Sequence, residues 1–357
     1  MLPASMDRPE GAMQLRLLVW NMEWLNDLFV AGNGPAAFRP DGEKPAHGNG
    51  SVTVRKRRND LAAVIRELEP DLVVVVEGPN RNEELELFFR TDVGPEWRTY
   101  LQPTSGSAQC LGAAINTATG KFDAAATRRL DSAANPAFGE FLWDTDADGV
   151  DERYRFERLP VDLEVAVTGG KRLRILGLHL KSKAIFDAYE WSKWWAVSGG
   201  NRRKILAQAL FVRDQFVVPY LKDPVTAGVP LIVCGDINDG PGLDASEKLL
   251  FGSGIEMLMG DSWTPDLALG NALYDGLGDT EKRNMDFRAL ATSRFKDPIF
   301  NNVQHEEWID HILYSRNQGR QWVSGARVVR TALDGQPLYR KYPNASDHSP
   351  VVVTLDV

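Results

Sequence analysis

Residues 231–239 read Leu-Ile-Val-Cys-Gly-Asp-Ile-Asn-Asp, and Gly240-Pro241-Gly242 follows. The apolar run Leu231–Val233 predicts a buried strand, and Gly235-Asp236-Ile237-Asn238 stops it abruptly. Asp236 and Asn238 stand one residue apart, so in extended backbone their side chains point the same way. A carboxylate that accepts a proton and an amide that holds an oxygen would then reach one centre. A strand followed by an Asx-type turn satisfies the same letters, because Gly, Asn, Asp and Pro are all turn formers. The other polar interruptions of the chain decide between these readings.

The pattern recurs at five further places. Gln14–Trp20 reads as a strand that stops at Asn21-Met22-Glu23-Trp24. Asp71 starts Leu72–Val76, a continuous apolar run of the kind a strand buried on both faces has, and the run ends at Glu77-Gly78-Pro79. Leu173–Leu178 leads into His179-Leu180-Lys181-Ser182-Lys183. Trp308–Tyr314 reads as a strand with Asp310 in its interior. Asp347-His348 directly precedes Val351-Val352-Val353. Each polar residue interrupts a run that otherwise calls for burial, and functional residues sit on loops at the ends of rigid strands.

Between these points, Arg55-Lys56-Arg57-Arg58 leads into a helix whose apolar face is Leu61, Val64, Ile65 and Leu68, closed by Pro70. A short helix is expected over 82–90, and strands over 97–101 and 110–116. Residues 156–166 and 173–178 form two strands joined by a tight turn at Gly169-Gly170. From Asn201 a basic-headed helix carries Ile205, Ala209, Val212 and Phe216. Residues 30–55, 183–200 and 260–306 are expected to be loop insertions. Helices are too few for a doubly wound parallel sheet, so the α/β arrangement that fits is mixed sheets packed together with helices outside. With no internal repeat and no linker, residues 1–357 are expected to be one domain.

Hydrophobic content of 43% and charged content of 25% place the chain among soluble globular proteins. Lys plus Arg number 41 against 49 Asp plus Glu, and the formal charge of −8 argues against broad electrostatic wrapping of nucleic acid. It leaves local binding through a metal-rich cleft open, because bound cations invert the local field. The apolar runs are far too short for a membrane span, and Met1–Gly11 has no secretory signature. A cytoplasmic location is therefore favoured, with export of an already processed chain left open, and a monomer is favoured. Cys110 and Cys234 give no disulfide framework and read as small buried hydrophobes.

Taken in order, VWN at 19–21, PDLVVVVE ending at Glu77, LHLKS at 178–182, GDIND at 235–239, IDHIL at 309–313 and SDH at 346–348 span nearly the whole chain. This ordered series resembles the endonuclease/exonuclease/phosphatase superfamily. The resemblance implies a DNase I-like fold, a four-layered two-sheet sandwich of mixed β-sheets flanked by helices, with the site at one edge. It also implies metal-dependent hydrolysis of phosphoesters. On that resemblance Glu77 is the principal divalent-metal ligand, with Asn21 helping to hold the ion or its water and Asp347 as an additional ligand. Asp236 orients or deprotonates the attacking water, and Asn238 holds that carboxylate or a phosphate oxygen. His348, paired with Asp310, and His179, near the leaving group, complete the catalytic set. An oxygen-rich site of this kind suits Mg²⁺ or Mn²⁺ rather than zinc.

Other residues carry weaker readings. Glu23 either supplies a second carboxylate or sits in a packed turn between Trp20 and Trp24. Arg158 resembles a family position near the cleft rim. Lys181 and Lys183 either contact phosphate or belong to a solvated loop. Asn201-Arg202-Arg203-Lys204 is either an anion site at a helix N-terminus or an ordinary basic turn. His311 follows Asp310 on a strand, faces the other way and reads as structural. His47 and His305 lie in loops and carry no weight. Asp144, Asp146, Asp148 and Glu152 match part of a calcium loop, but Arg155 stands where a bidentate Glu belongs. A plain acidic loop is the alternative to a structural Ca²⁺. Trp191, Trp194 and Trp195 either stack on bases or form a small core. The expected activity is that of a nuclease on DNA or RNA. The alternative is a phosphatase or phosphodiesterase for a small-molecule or lipid phosphoester. An inactive binding protein of the same fold comes last, because it should have lost site residues.

Overall fold

The computed structural model describes residues 13–47, 52–104, 106, 109–132, 138–183, 193–240, 252–297, 303–318 and 321–357. The first strand, β1 (Gln14–Asn21), is followed by helix α1 (Val54–Leu68) and β2 (Leu72–Gly78). Helix α2 (Asn82–Phe88), β3 (Trp97–Gln102) and β4 (Cys110–Asn116) come next, and β5 (Arg128–Leu130) opens the second half. A hairpin of β6 (Glu140–Trp143) and β7 (Glu152–Arg155) precedes β8 (Val161–Val167), β9 (Lys171–His179), α3 (Trp194–Val212) and β10 (Leu231–Asp236). The chain finishes with β11 (Leu269–Asn271), the hairpin β12 (Ser293–Asp297) and β13 (Val303–Glu307), then β14 (Asp310–Ser315), β15 (Val323–Val328) and β16 (Val351–Asp356).

These strands make two six-stranded mixed sheets, ordered β15-β16-β1-β2-β4-β3 and β11-β14-β10-β9-β8-β5. Period-two alternation builds the layers. Leu17 and Val19 of β1, Leu72 and Val74 of β2, and Ile232 and Cys234 of β10 meet in one core between the sheets. Their neighbours Leu18, Trp20, Val73 and Val75 face α1, through Leu61, Ile65 and Leu68. On the far side Leu176, Leu178, Leu231 and Val233 face α3, through Ile205, Ala209 and Val212. The result is a helix–sheet–sheet–helix sandwich. Because its central strands are buried on both faces, they read as continuous apolar runs.

The helices fix where the polar strand ends go. Thr53 caps α1, and Glu69 leaves it in the left-handed region (φ 45) just before Pro70, which disfavours helical backbone in the residue ahead of it. The crossover through α1 makes β1 and β2 parallel, and the crossover through α3 makes β9 and β10 parallel. Each parallel pair therefore ends at one edge. Asn21 lies level with Val76, His179 pairs with Asp236, and Asp310 faces Asp236 across the antiparallel β10–β14 ladder. Gly235 makes that edge tight. Its φ is 131, and a Cβ there would lie 2.0 Å from the Leu178 carbonyl oxygen, so only glycine fits.

Several elements differ from expectation. The α3 helix starts at Trp194 rather than Asn201, so Asn201–Lys204 lie inside it, where backbone N–H groups are already bonded. The helical path also continues past Val212 through Arg213–Val217 and Val218–Lys222, because Pro219 sits at the start of a new turn that needs no N–H from it. Residues 260–297 hold short helices and one arm of a hairpin, held by caps such as Asn271 rather than by periodicity. Asp310 begins β14 instead of lying in its interior. Trp191 lies outside the described residues, and Trp194 and Trp195 open α3. Cys110 and Cys234 are free and buried, as expected. Among the described residues no helix is long and apolar enough to cross a membrane.

Candidate active site

The strand ends converge on Asp236, which closes β10 and is almost completely buried. Its Oδ2 accepts from Asn21 Nδ2 at 3.0 Å, and its Oδ1 accepts from the Asn238 backbone N–H at 2.9 Å. His179 Nε2 lies 3.7 Å from Oδ2, and His348 Nε2 lies 4.0 Å from it. Burial, reinforced by the Asp310 charge, pushes the Asp236 carboxyl up to about 7. That places a proton acceptor near neutrality.

Glu77 stands beside it on a bulge. The β2–β4 register shifts between Val75 and Gly78, and Glu77 takes a left-handed φ of 57. Its carboxylate accepts from the Trp24 N–H at 2.8 Å, from Asn21 Nδ2 at 3.3 Å and from Gln109 Nε2. Gln109 in turn accepts from Arg158 Nη1 at 3.2 Å, and Arg158 Nη2 donates to the Leu180 carbonyl. Five non-glycine residues in the left-handed region surround this point: Glu23, Trp24, Glu77, Gln109 and Asn238. Such backbone is costly for residues with a Cβ, and its concentration at one sheet edge marks a place where side chains are aimed rather than merely accommodated.

The two histidines sit in opposite electrostatic states. His348 Nδ1 is 2.7 Å from Asp310 Oδ2. Burial alone would lower its pKa, but Asp310, through charge and hydrogen bond, and then Asp347 and Asp236 outweigh burial and hold the imidazole well above its ordinary value. His179 is pushed well below it, first by burial and then by Arg158, His348 and Lys181. Its Nδ1 is buried without a hydrogen-bond partner among the described residues. His311 has the expected structural role, with Nε2 at 2.9 Å from the Asp239 carbonyl and Nδ1 at 3.1 Å from Asn271 Nδ2.

The structure thus brings Asn21, Glu77, Arg158, His179, Asp236, Asn238, Asp310, Asp347 and His348 to one edge. Asn238 arrives differently from the extended-backbone expectation. Its φ is 55, and its amide nitrogen is spent on the Leu180 carbonyl at 3.1 Å, so it braces the loop instead of running parallel to Asp236. Lys183 and Arg202 both reach the buried Asp239, at 3.2 and 3.4 Å. Lys181 Nζ bonds the Ser182 carbonyl. The acidic loop Asp144–Glu152 stands apart, joining β6 to β7. There Asp144 accepts from the Asp148 and Gly149 N–H groups and Asp148 from Val150, so the loop closes through Asx-type bonds.

The sequence pattern of the Endonuclease/Exonuclease/phosphatase family matches residues 18–348, from the core of β1 to His348 itself. The chain belongs to the Endonuclease/Exonuclease/phosphatase family. Like the other members of this family it is a phosphoester hydrolase, and its two mixed six-stranded sheets flanked by helices are the DNase I-like fold. TDP2 from C. elegans resembles it with a TM-score of 0.50 at 14% identity, covering 98% of this chain and 77% of that one. D. rerio TDP2, solved in complex with a single-strand DNA product, has a TM-score of 0.48 at 13% identity, covering 96% and 99%. A mannosyl-6-phosphatase of Bacteroides thetaiotaomicron has a TM-score of 0.48 at 14% identity, covering 95% and 98%. No curated protein matches the chain by sequence.

Gln109 and Arg57 of this family member's site carried no sequence signal, and Ser346 was legible only as the first letter of the SDH motif. Gln109 comes from a loop with no motif. Ser346 donates to the Asn21 carbonyl at 2.7 Å and accepts from the His348 N–H at 3.0 Å, tying the two motifs together. Arg57, read only as part of the basic run leading into α1, is buried and holds the turn after Asn21 through the Met22 and Glu23 carbonyls and the Glu23 carboxylate.

Proposed function

We propose that this protein hydrolyses phosphodiester bonds in nucleic acid with a divalent cation, Mg²⁺ or Mn²⁺, as cofactor. The observation that carries the reading is the convergence on buried Asp236 of Asn21 at 3.0 Å and of the His179 and His348 rings at 3.7 and 4.0 Å, with His348 held by Asp310 at 2.7 Å. The donor set fits a hard cation. Glu77 is mostly buried, with 14% of its side chain exposed, its hydrogen bonds come from three neutral donors, and no Lys or Arg among the described residues is ion-paired with it. Burial accordingly raises its pKa. The positive charge of His348 offsets only part of that burial, so a divalent ion would complete the compensation, and oxygen donors suit Mg²⁺ or Mn²⁺. Glu77, Asn21 and Asp347 would hold the ion, which when bound would neutralise charge on a phosphoryl oxygen. Asp236, Asp310 and His348 also present ligand atoms within 4.8 Å of one another. Asp310 Oδ2 and His348 Nδ1 are already spent on each other, so we assign this pair to proton and charge handling.

The chain's own groups do the rest. Asp236 takes a proton from the attacking water, and Asn238 fixes that carboxylate through its N–H. His348, kept cationic by Asp310, stabilises charge on the phosphorane and the departing oxygen. Neutral His179 offers a hydrogen bond on the Glu77 side, and Arg158 supplies a fixed positive charge. Glu23, Glu77, Asp236, Asp310 and Asp347 crowd this edge, so a singly charged diester meets less repulsion than a doubly charged monoester. The overall charge of −8 favours, as second reading, a small phosphoester that needs no long basic track.

Hydrolysis of bis(p-nitrophenyl) phosphate, single- and double-stranded DNA and RNA, each with Mg²⁺, Mn²⁺ or EDTA, tests the reading. Metal-dependent cutting of nucleic acid, lost in Glu77→Ala, is expected. Turnover of the small diester alone would replace nucleic acid by a small phosphoester.

A pH dependence follows from the carboxyl cluster. Asp236 is ionised from about pH 4 in the unfolded chain but only near 7 in the fold, so the folded state holds the extra proton in between. Stability of the chelated protein should fall as pH rises through that window and level off above it. Glu23, also pushed up to about 7, first by burial and then by Asp347, adds in the same direction. Added Mg²⁺ or Mn²⁺ should raise Tm more at pH 7.5 than at pH 5.5. Melting curves showing no metal response at either pH would remove the cation from the proposal.

A further inference from the structure

We infer that Trp24 and His47 form a subsite for a nucleobase next to the scissile phosphate, an inference that rests on the nuclease reading. The two rings stack with centroids 4.0 Å apart and planes 15° from parallel. Trp24 is the residue whose backbone N–H donates to Glu77 at 2.8 Å, so the stack is carried by a residue that touches that carboxylate. His47 is unusual for a surface residue. Half of its side chain is exposed (51%), yet its Nδ1 lies 2.8 Å from Asp27 Oδ2 and its backbone N–H donates to the same oxygen at 2.7 Å. Trp24 is stacked on one face of the half-exposed ring, so a further ring would meet the opposite face.

The loop that delivers His47 is pinned as well. Phe29 bridges to Phe38, and the Arg58 guanidinium lies 3.3 Å from the Phe38 ring centroid. Arg39 N–H donates to the Leu28 carbonyl at 2.9 Å. A residue that stays half in water gains little from burial, so so many fixed contacts are not explained by packing alone. They hold a flat π surface rigid beside the phosphate site. Nucleic acid carries a planar, uncharged π system within a nucleotide of each phosphate. Stacking of this kind is tolerant of sequence.

The test compares a short single-stranded oligonucleotide with matched strands carrying one abasic residue, placed in turn on either side of the cleaved bond. The wild-type protein should favour the intact strand over one of the abasic strands by roughly 5- to 100-fold in kcat/KM, the range that single-base stacking supports. In His47→Ala that ratio should fall to about 1, and in His47→Phe, which keeps a flat ring, most of it should return. A His47→Ala protein with the wild-type ratio would overturn the subsite. Equal losses on intact and abasic strands would also overturn it, by assigning His47 a structural role. If no strand is cut while bis(p-nitrophenyl) phosphate is still hydrolysed in a Glu77-dependent way, the nuclease reading itself has failed and takes the subsite with it.

Discussion

Replacing Asp236 with asparagine is expected to lower kcat about 10³-fold, within the span that a positioned general base contributes, while the protein stays folded. The substitution keeps the volume of a side chain that is almost fully buried. It removes the proton acceptor, and an amide has only one oxygen for the two donors, Asn21 Nδ2 and the Asn238 N–H, that the carboxylate now satisfies. One donor left unpaired costs about 1–3 kcal/mol. Relief from burying a carboxyl whose pKa stands raised to about 7 opposes that loss. Stability should therefore change little while turnover collapses. The pH profile separates the two contributions. In the wild type, activity should fall on the acid side as Asp236 takes up its proton, and bound cation would move that limb below 7 by favouring the ionised form. Asp236→Asn should have no such limb. Near wild-type turnover, or a surviving acid limb, would assign proton transfer elsewhere.

The sandwich was readable because its four central strands, β1, β2, β9 and β10, are buried on both faces toward their C-terminal ends, and there appear as apolar runs. The same property exposed the site. A polar residue that stops a two-face-buried run must be placed deliberately, and Asn21, Glu77, His179 and Asp236 all stop such runs. What stayed hidden depends on backbone rather than on residue type. Nothing in the letters of Glu77-Gly78 announces a bulge, and nothing in Asn238 announces a left-handed turn, yet these decide where the side chains aim. The α3 start was misplaced because its first turns, Trp194–Gly200, carry two glycines and tryptophans instead of a clear apolar stripe. Gln109 and Arg57 act through contacts 32 and 34 residues away in sequence, which no local pattern encodes. His47 was passed over for the same reason. Its partners, Trp24 and Asp27, reach it only after an irregular loop has folded back.

The Asp310–His348 pair yields the second large effect. His348→Ala should reduce kcat about 10²- to 10³-fold, comparable to losing one preorganised charge stabiliser. It should also destabilise the protein by about 3–5 kcal/mol, because Asp310 would remain as a buried charge without its partner. Asp310→Asn is the more informative change. It keeps the ring in place but removes the charge that most strongly holds the imidazole above its ordinary pKa against the opposing effect of burial. The working state is the protonated ring, so activity is lost as pH rises through the His348 pKa, and Asp310→Asn should move that limb toward acid. At neutral pH the variant should be slow, and lowering the pH should recover part of the rate, until protonation of Asp236 intervenes. Since the two residues act as one unit, the His348→Ala/Asp310→Asn double variant should be scarcely slower than His348→Ala alone. Independent, multiplicative losses, or a basic limb that stays where it was in Asp310→Asn, would show that Asp310 does not act through His348. Its Oδ1, which has no hydrogen-bond partner among the described residues, would then be the atom to examine next as a direct ligand.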